Sequence, residues 1–199
     1  MTDLFNPTDL DVSSGHFIDG ELTDGGDAHF GVIRPSDLGT QGTLADASVA
    51  TVEHAVSAAR RAFAESGWAT MAPRDRAGIL RRWADLVDRD AEILAKLESA
   101  VSCRPYREVF MRDVRVVSGS LRFFGEYCDK VDGRVTATPN DTLSLTLSEP
   151  WGVVAGIVPW NFPLILSAWK FAPAMAAGNC VVLKPSELTP YAITHVAQL

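Results

Sequence analysis

The chain is short of several things, and each shortage removes a class of function. Of its 199 residues only three are cysteine, Cys103, Cys128 and Cys180, far apart and in no metal-ligand spacing. Neither a disulfide framework nor a zinc site is expected, and a reducing, cytoplasmic setting is implied. Lysine and arginine total 18 against 25 acidic residues, a net charge of -7, and the basic residues nowhere cluster. No nucleic-acid partner is expected, because phosphate binding needs a basic face. The four histidines, His16, His29, His54 and His195, share no ligand spacing, so no metal is assigned. Residues 1–15 are polar and acidic, lack the order of a signal or transit peptide, and read as disordered. No G-x-G-x-x-G follows any apolar run, which argues against an ordinary dinucleotide fingerprint.

Residues 151–169 carry no charge over a length that could span a bilayer. Pro159, Asn161 and Pro163 fall at the centre of that run, where they would break a helix and strand an amide in lipid. A buried strand, turn and helix is the better reading, and no membrane partner is expected.

What is present is the composition of a globular protein, 47% hydrophobic and 22% charged. The length allows one ordinary domain or a little more. Residues 16–22 read as a short strand turned by Asp19-Gly20, followed by a Gly/Asp-rich loop to Asp27 and a second short strand about 30–33. Val52, Ala55, Val56, Ala59, Ala62 and Phe63 recur at helical spacing over 51–66, with Thr51 as N-cap and Gly67 as the stop. Pro73 opens a second helix with the stripe Leu80, Trp83, Ala84 and Val87. Asp88-Arg89-Asp90 interrupts before a third helix carrying Ile93, Leu94, Leu97 and Val101. A last long helix from about Pro105 has the seam Phe110, Val114, Val117, Leu121, Phe124 and Cys128. Past Gly133 the period changes to two. Strands 134–138 and 142–148 flank Pro139-Asn140-Asp141, and Leu143, Leu145 and Leu147 form one apolar face. A two-stranded ribbon is not stable alone, so that face must pack on something.

The most informative stretch is 153–187. A β-branched run (Val153, Val154, Ile157, Val158) leads into Pro159-Trp160-Asn161-Phe162-Pro163. A helix-length apolar segment follows, closed by Gly178-Asn179, and then a run 181–183 ending in Lys184-Pro185. Strand, helix and strand at this spacing make a βαβ unit with parallel strands. Ligands in such sheets bind at the carboxyl rim, where the loops bearing Asn161 and Lys184 both open. On the residues alone Asn161 is more simply read as a cap for the helix opening at Pro163, and Lys184 as a solvated strand end. Trp160 could be core.

Pro159-Trp160-Asn161-Phe162-Pro163, Ala168-Trp169-Lys170, Gly178-Asn179 and Lys184-Pro185-Ser186-Glu187, in this order and spacing, resemble the aldehyde dehydrogenase superfamily. The likeness extends more weakly back to about Phe17. It implies an α/β fold built on the N-terminal part of that family's architecture. Residues 1–133 would be the mostly helical part of the cofactor-binding domain and 134–150 the β-hairpin of the oligomerisation arm. Residues 151–199 would be the first βαβ unit of a Rossmann-like parallel sheet, with the catalytic domain absent.

The reaction so implied is NAD(P)-dependent oxidation of an aldehyde to a carboxylic acid, through attack of a cysteine thiolate and hydride transfer to nicotinamide. Asn161 takes the position of the oxyanion donor, a neutral amide with two N–H groups. Lys184 would donate to the adenosine ribose hydroxyls, and Glu187 would accept from the 2′-hydroxyl and so favour NAD over NADP. Ile157, Pro159 and Trp160 would line the same groove. In that family the nucleophilic cysteine and the general-base glutamate lie past the position of Leu199. The chain alone is therefore expected to be inactive, and to fold loosely or aggregate. Cys180 is read as structural. Cys103 stands where the family has a glycine, so its turn has either lost a positive φ or is strained. The hairpin implies a homo-oligomer in the complete protein. The alternative is a non-catalytic partner that joins full-length dehydrogenase subunits through that hairpin.

Overall fold

Four two-stranded ribbons flank a helical core in the computed structural model, which describes residues 5–13, 15–26 and 28–199. The amino-terminal stretch is more ordered than its composition implied. Pro7–Asp9 forms a 3-10 turn capped by Asn6, and Leu10 and Val12 pack against the core. Those two apolar side chains supply the burial that the rest of the segment lacks. The expectation of disorder for residues 1–4 and 14 lies outside the described residues.

Strands β1 (His16–Ile18) and β2 (Glu21–Thr23) pair antiparallel around Asp19 and Gly20, whose φ values of 54° and 84° are those a tight primed turn requires. Strand β3 (Ala28–Ile33) pairs with β4 (Thr40–Asp46), which the sequence did not suggest. The first half of β4, Thr40-Gln41-Gly42-Thr43, has no apolar alternation to mark it. Gly42 is needed there because a Cβ would lie 2.7 Å from the Tyr191 hydroxyl and from Val12.

Helix α1 (Val49–Glu65) begins earlier than expected. Its N-cap is Ser48, whose hydroxyl accepts from the Thr51 N–H at 3.1 Å, so Thr51 lies inside the first turn. Helices α2 (Pro73–Arg89) and α3 (Ala91–Ser102) follow as read, with Leu80, Ala84, Val87, Leu94, Leu97 and Val101 buried and Trp83 only partly so. The long helix expected after Pro105 is divided. A single turn, α4 (Tyr106–Glu108), leads through a π-helical turn over Val109–Asp113 into α5 (Val114–Tyr127). The widened turn inserts one residue into the seam. Val109, Asp113 and Val114 are therefore all fully buried, while Phe110 moves to the edge and stacks on Tyr106.

Beyond α5, β5 (Arg134–Thr136) and β6 (Ser144–Thr146) form the expected hairpin, with Val135 opposite Leu145. Leu143 and Leu147 on the same ribbon are 74% and 73% exposed, so among the described residues its apolar face is left largely open to solvent. The βαβ unit comprises β7 (Val153–Ile157), α6 (Pro163–Ala176) and β8 (Cys180–Lys184), and α7 (Tyr191–Gln198) closes the chain. The two strands run parallel, Val153 opposite Cys180 through Ile157 opposite Lys184. Gly178, at φ +89°, ends α6, and the buried Asn179 locks the turn. Its Oδ1 accepts from the Gly152 N–H and its Nδ2 donates to the Ala174 carbonyl, both at 3.0 Å. Residues 151–169 thus fold as strand, turn and helix. Among the described residues no helix is long and apolar enough to cross a membrane.

Candidate functional site

The carboxyl ends of β7 and β8 lie side by side. Ile157 is paired with Lys184, and the next N–H, that of Val158, donates to the Lys184 carbonyl at 3.0 Å. Pro159 has no N–H to continue the ladder, so the chain turns away there. The loop that follows carries Trp160 and Asn161 and ends at the first turn of α6.

Asn161 is exposed and its amide bonds to none of the described residues. The capping alternative is overturned: Phe162 occupies the N-cap position and provides no side-chain bond. The orphan Leu164 N–H is satisfied by Glu98 of α3, whose Oε2 accepts it at 3.3 Å. With that duty met from another helix, the Asn161 amide is not used as the cap of α6. Trp160 is 57% exposed, which rules out the core reading. Ile157 and Pro159 are exposed beside it.

On the second loop the Lys184 ammonium meets the Glu187 carboxylate at 3.0 Å, both side chains open to solvent. A bond from its own backbone N–H, then Lys184, holds the Glu187 carboxyl below its ordinary range. The six residues picked out from the sequence therefore lie together at the carboxyl end of the β7–β8 ribbon, Ile157 and Lys184 as the last strand residues and Pro159, Trp160, Asn161 and Glu187 on the two loops that follow.

The three cysteines fall in three different elements, at the end of α3, the end of α5 and the start of β8. Cys180 starts β8 at the opposite end of the ribbon, and burial pushes its thiol up; burial raises Cys128 on the helical seam as well. Cys103 has φ +56°, so the turn keeps the left-handed conformation without a glycine. Among the described residues no group of three or more His, Cys, Asp or Glu could hold a metal ion.

The sequence reading missed what lies beneath the Asn161 loop. Glu98 and Asp113 are 1% and 0% exposed. The Arg104 guanidinium forms an ion pair with Asp113 and lies 3.7 Å from Glu98 Oε1. It also sits over the Phe162 ring, 4.2 Å from the centroid, with Arg112 at 5.5 Å from the same ring. Burial pushes the Glu98 carboxyl up to about 8, against the opposing pull of Arg104 and the Leu164 amide. Burial likewise lowers Arg104. The signal was present: Glu98 falls on the apolar stripe Leu94, Leu97, Val101, and Asp113 immediately precedes the seam residue Val114. Alongside, a shallow apolar groove of about 500 Å³ runs between α5 and α6, lined by Val116, Gly119, Ser120, Phe123, Phe124 and Trp169.

Residues 22–199 match the Aldehyde dehydrogenase family. The chain is 37% identical over 191 residues to the NADP/NAD-dependent aldehyde dehydrogenase PuuC of Escherichia coli, covering 96% of this chain and 39% of that protein. It is 40% identical over 171 residues to the mitochondrial aldehyde dehydrogenase of Mesocricetus auratus, covering 85% of this chain and 34% of that one. Among solved structures, an indole-3-acetaldehyde dehydrogenase of P. syringae in complex with NAD+ and IAA matches with a TM-score of 0.92 at 39% identity, over 96% of this chain and 39% of the other. The gamma-glutamyl-gamma-aminobutyraldehyde dehydrogenase of Burkholderia cenocepacia matches with a TM-score of 0.92 at 40% identity and the same coverage. The chain thus spans about two fifths or less of the length of the relatives it matches.

Proposed function

The chain belongs to the aldehyde dehydrogenase family, and from that membership we propose that it serves the NAD-dependent oxidation of an aldehyde to a carboxylic acid. Its contribution is one wall of the site: the oxyanion donor Asn161 and the adenosine-side contacts Lys184 and Glu187. The observation that carries this reading is the parallel pairing of Ile157 with Lys184, which sets both loops on one edge. As thiolate adds to the carbonyl, negative charge grows on oxygen, and an uncommitted neutral amide can donate to it without giving up a proton. Removing one such donor lowers rate by about a hundred- to a thousandfold.

The residues fit the cofactor. The exposed ammonium of Lys184 can donate to ribose hydroxyls, and the Glu187 carboxylate, held ionised, can accept from the 2′-hydroxyl and repel a 2′-phosphate. Ile157, Pro159 and Trp160 form the adjoining surface. When bound, NAD supplies the hydride acceptor. In that reading the nucleophilic thiolate and the general base are not assigned to any of the described residues, so we assign the chain no turnover of its own.

In the same reading 1–133 and 151–199 are parts of the cofactor-binding domain and 134–150 is an arm between subunits of a cytoplasmic homo-oligomer. The exposed Leu143, Leu145 and Leu147 support the arm. They equally suit a non-catalytic partner that joins full-length dehydrogenase subunits, and co-elution with an intact dehydrogenase would favour that second reading.

The test is calorimetric titration of the purified chain with NAD and NADP. NAD is expected to bind more tightly than NADP, and Lys184→Ala to weaken NAD at least tenfold. An unchanged affinity in Lys184→Ala removes the Lys184 assignment, and tighter NADP binding removes that of Glu187. A cysteine-dependent burst of NADH from the chain with aldehyde would overturn the one-wall reading.

A further inference from the structure

The buried polar cluster under the Asn161 loop has no direct part in that chemistry, yet it holds the residues on the loop's carboxyl side. Taking ions out of water costs several kcal/mol per ion unless they are paired and bonded. Here the pairing is specific. Arg104 is gripped by Asp113, which also accepts from Arg112 Nε at 3.1 Å, and it faces Glu98 Oε1 at 3.7 Å. The guanidinium carbon of Arg104 lies over the Phe162 ring, 4.2 Å from its centroid, and Glu98 takes the Leu164 N–H at 3.3 Å. Two positions just after Asn161 are therefore anchored, one through its ring and one through its backbone. On the other side the loop is fixed where Val158 bonds to the Lys184 carbonyl. Between these points the Asn161 side chain bonds to none of the described residues.

We propose that Glu98, Arg104 and Asp113 are positioning residues for the Asn161 amide: they clamp Phe162 and Leu164 so that Asn161 leaves the ribbon edge in one conformation. The two carboxyl groups set the guanidinium and the guanidinium sets the ring. Glu98 caps α6 from another helix, which frees Asn161 from capping. The catalytic meaning of the clamp rests on Asn161 being the oxyanion donor; the clamp itself does not.

Amide hydrogen exchange by NMR on the whole 199-residue chain tests it. The reporters are the Leu164 N–H, held by Glu98, and the Leu166 N–H, which donates to the Phe162 carbonyl at 2.9 Å. Leu80 and Ala84, buried in α2, report global opening. In Arg104→Met the reporters are expected to exchange at least tenfold faster relative to Leu80 and Ala84, and the Asn161 side-chain amide signals to shift toward those of an unstructured peptide. Arg104→Lys keeps the charge but loses the flat face, and should restore part of the protection. Equal acceleration at all four amides, or none at Leu164 and Leu166, overturns the proposal. Should Arg104→Met fail to fold, the same ratio in Arg104→Lys decides. No substrate enters this measurement, so its failure leaves the oxyanion assignment standing, and failure of the NAD titrations leaves the clamp standing.

Discussion

Replacing Glu98 by glutamine should abolish a dependence of stability on pH that the native chain owes to this one side chain. A single guanidinium, Arg104, faces two buried carboxyls. Asp113 holds it in contact, while Glu98 lies 3.7 Å away and is fully buried, its carboxyl pushed up to about 8 from an ordinary 4.5. Arg112 and Glu108 also face Arg104, but neither approaches it as closely as Asp113 does. Glu98 therefore keeps its proton in the folded chain and loses it in the unfolded one. A folded pKa above the unfolded value means that the native state binds more protons between the two. The stability so contributed is complete below about pH 4.5 and is lost as pH rises through about 8. The slope in that window is about 1.4 kcal/mol per pH unit, or about 3 kcal/mol between pH 5.5 and 7.5. The substituted amide keeps an acceptor for the Leu164 N–H and cannot ionise. Urea unfolding of wild type and Glu98→Gln at pH 5.5, 6.5 and 7.5 gives the difference in stability at each pH. Every other titrating group is common to the two proteins and cancels. The variant should gain on the wild type by that amount across the series. A difference that does not vary with pH would mean that Arg104 keeps Glu98 ionised throughout, and would refute the balance drawn here between burial and pairing.

Two further outcomes follow from backbone geometry. Asn179→Ala removes the acceptor of the buried Gly152 N–H and one donor to Ala174, at a cost of about 2–3 kcal/mol. In a chain of this size that lowers Tm by about 4–12 °C in a calorimetric scan; a shift under about 1 °C would show that neither bond matters. Cys103→Gly relieves a left-handed residue at φ +56° and should raise stability by about 1 kcal/mol, read as a higher urea midpoint at an unchanged slope; a lower midpoint would mean that the thiol makes a contact worth more than the strain.

Much of this fold was legible because it rests on local period and local punctuation. The run 153–158, the breakers Pro159 and Pro163 and the stop at Gly178-Asn179 specify β7, α6 and β8 almost residue by residue, and the parallel pairing follows from the length of the crossover. The α2 and α5 seams are similarly written in spacings of three and four. What escaped depends on partners distant in sequence or on a change of period. Strand β4 is held by β3 and by Val12 and Tyr191 across Gly42, none of which its own polar residues announce. The π turn at Val109–Asp113 slips the seam by one residue, and no interruption in the apolar pattern marks it.

The position of Asn161 shows why such distant partners bear on function. An asparagine two residues before a helix-opening proline looks like a cap, and local chemistry alone favours that role. The Leu164 amide that needed capping is served instead by Glu98, 66 residues earlier in the chain. The side chain proposed as the oxyanion donor is thus left without a capping duty by one that the apolar pattern of α3 would have discouraged. An ionisable residue on a buried stripe is costly whether it is charged or holds its proton, so it points to a second group close by that needs it. Here that group is the first turn of the helix on which the donor loop ends, and the guanidinium that Glu98 shares with Asp113 reaches the one ring between them. The proposed oxyanion donor and the buried polar cluster are therefore two ends of one arrangement, joined at the first turn of α6 through the Leu164 N–H and the Phe162 ring.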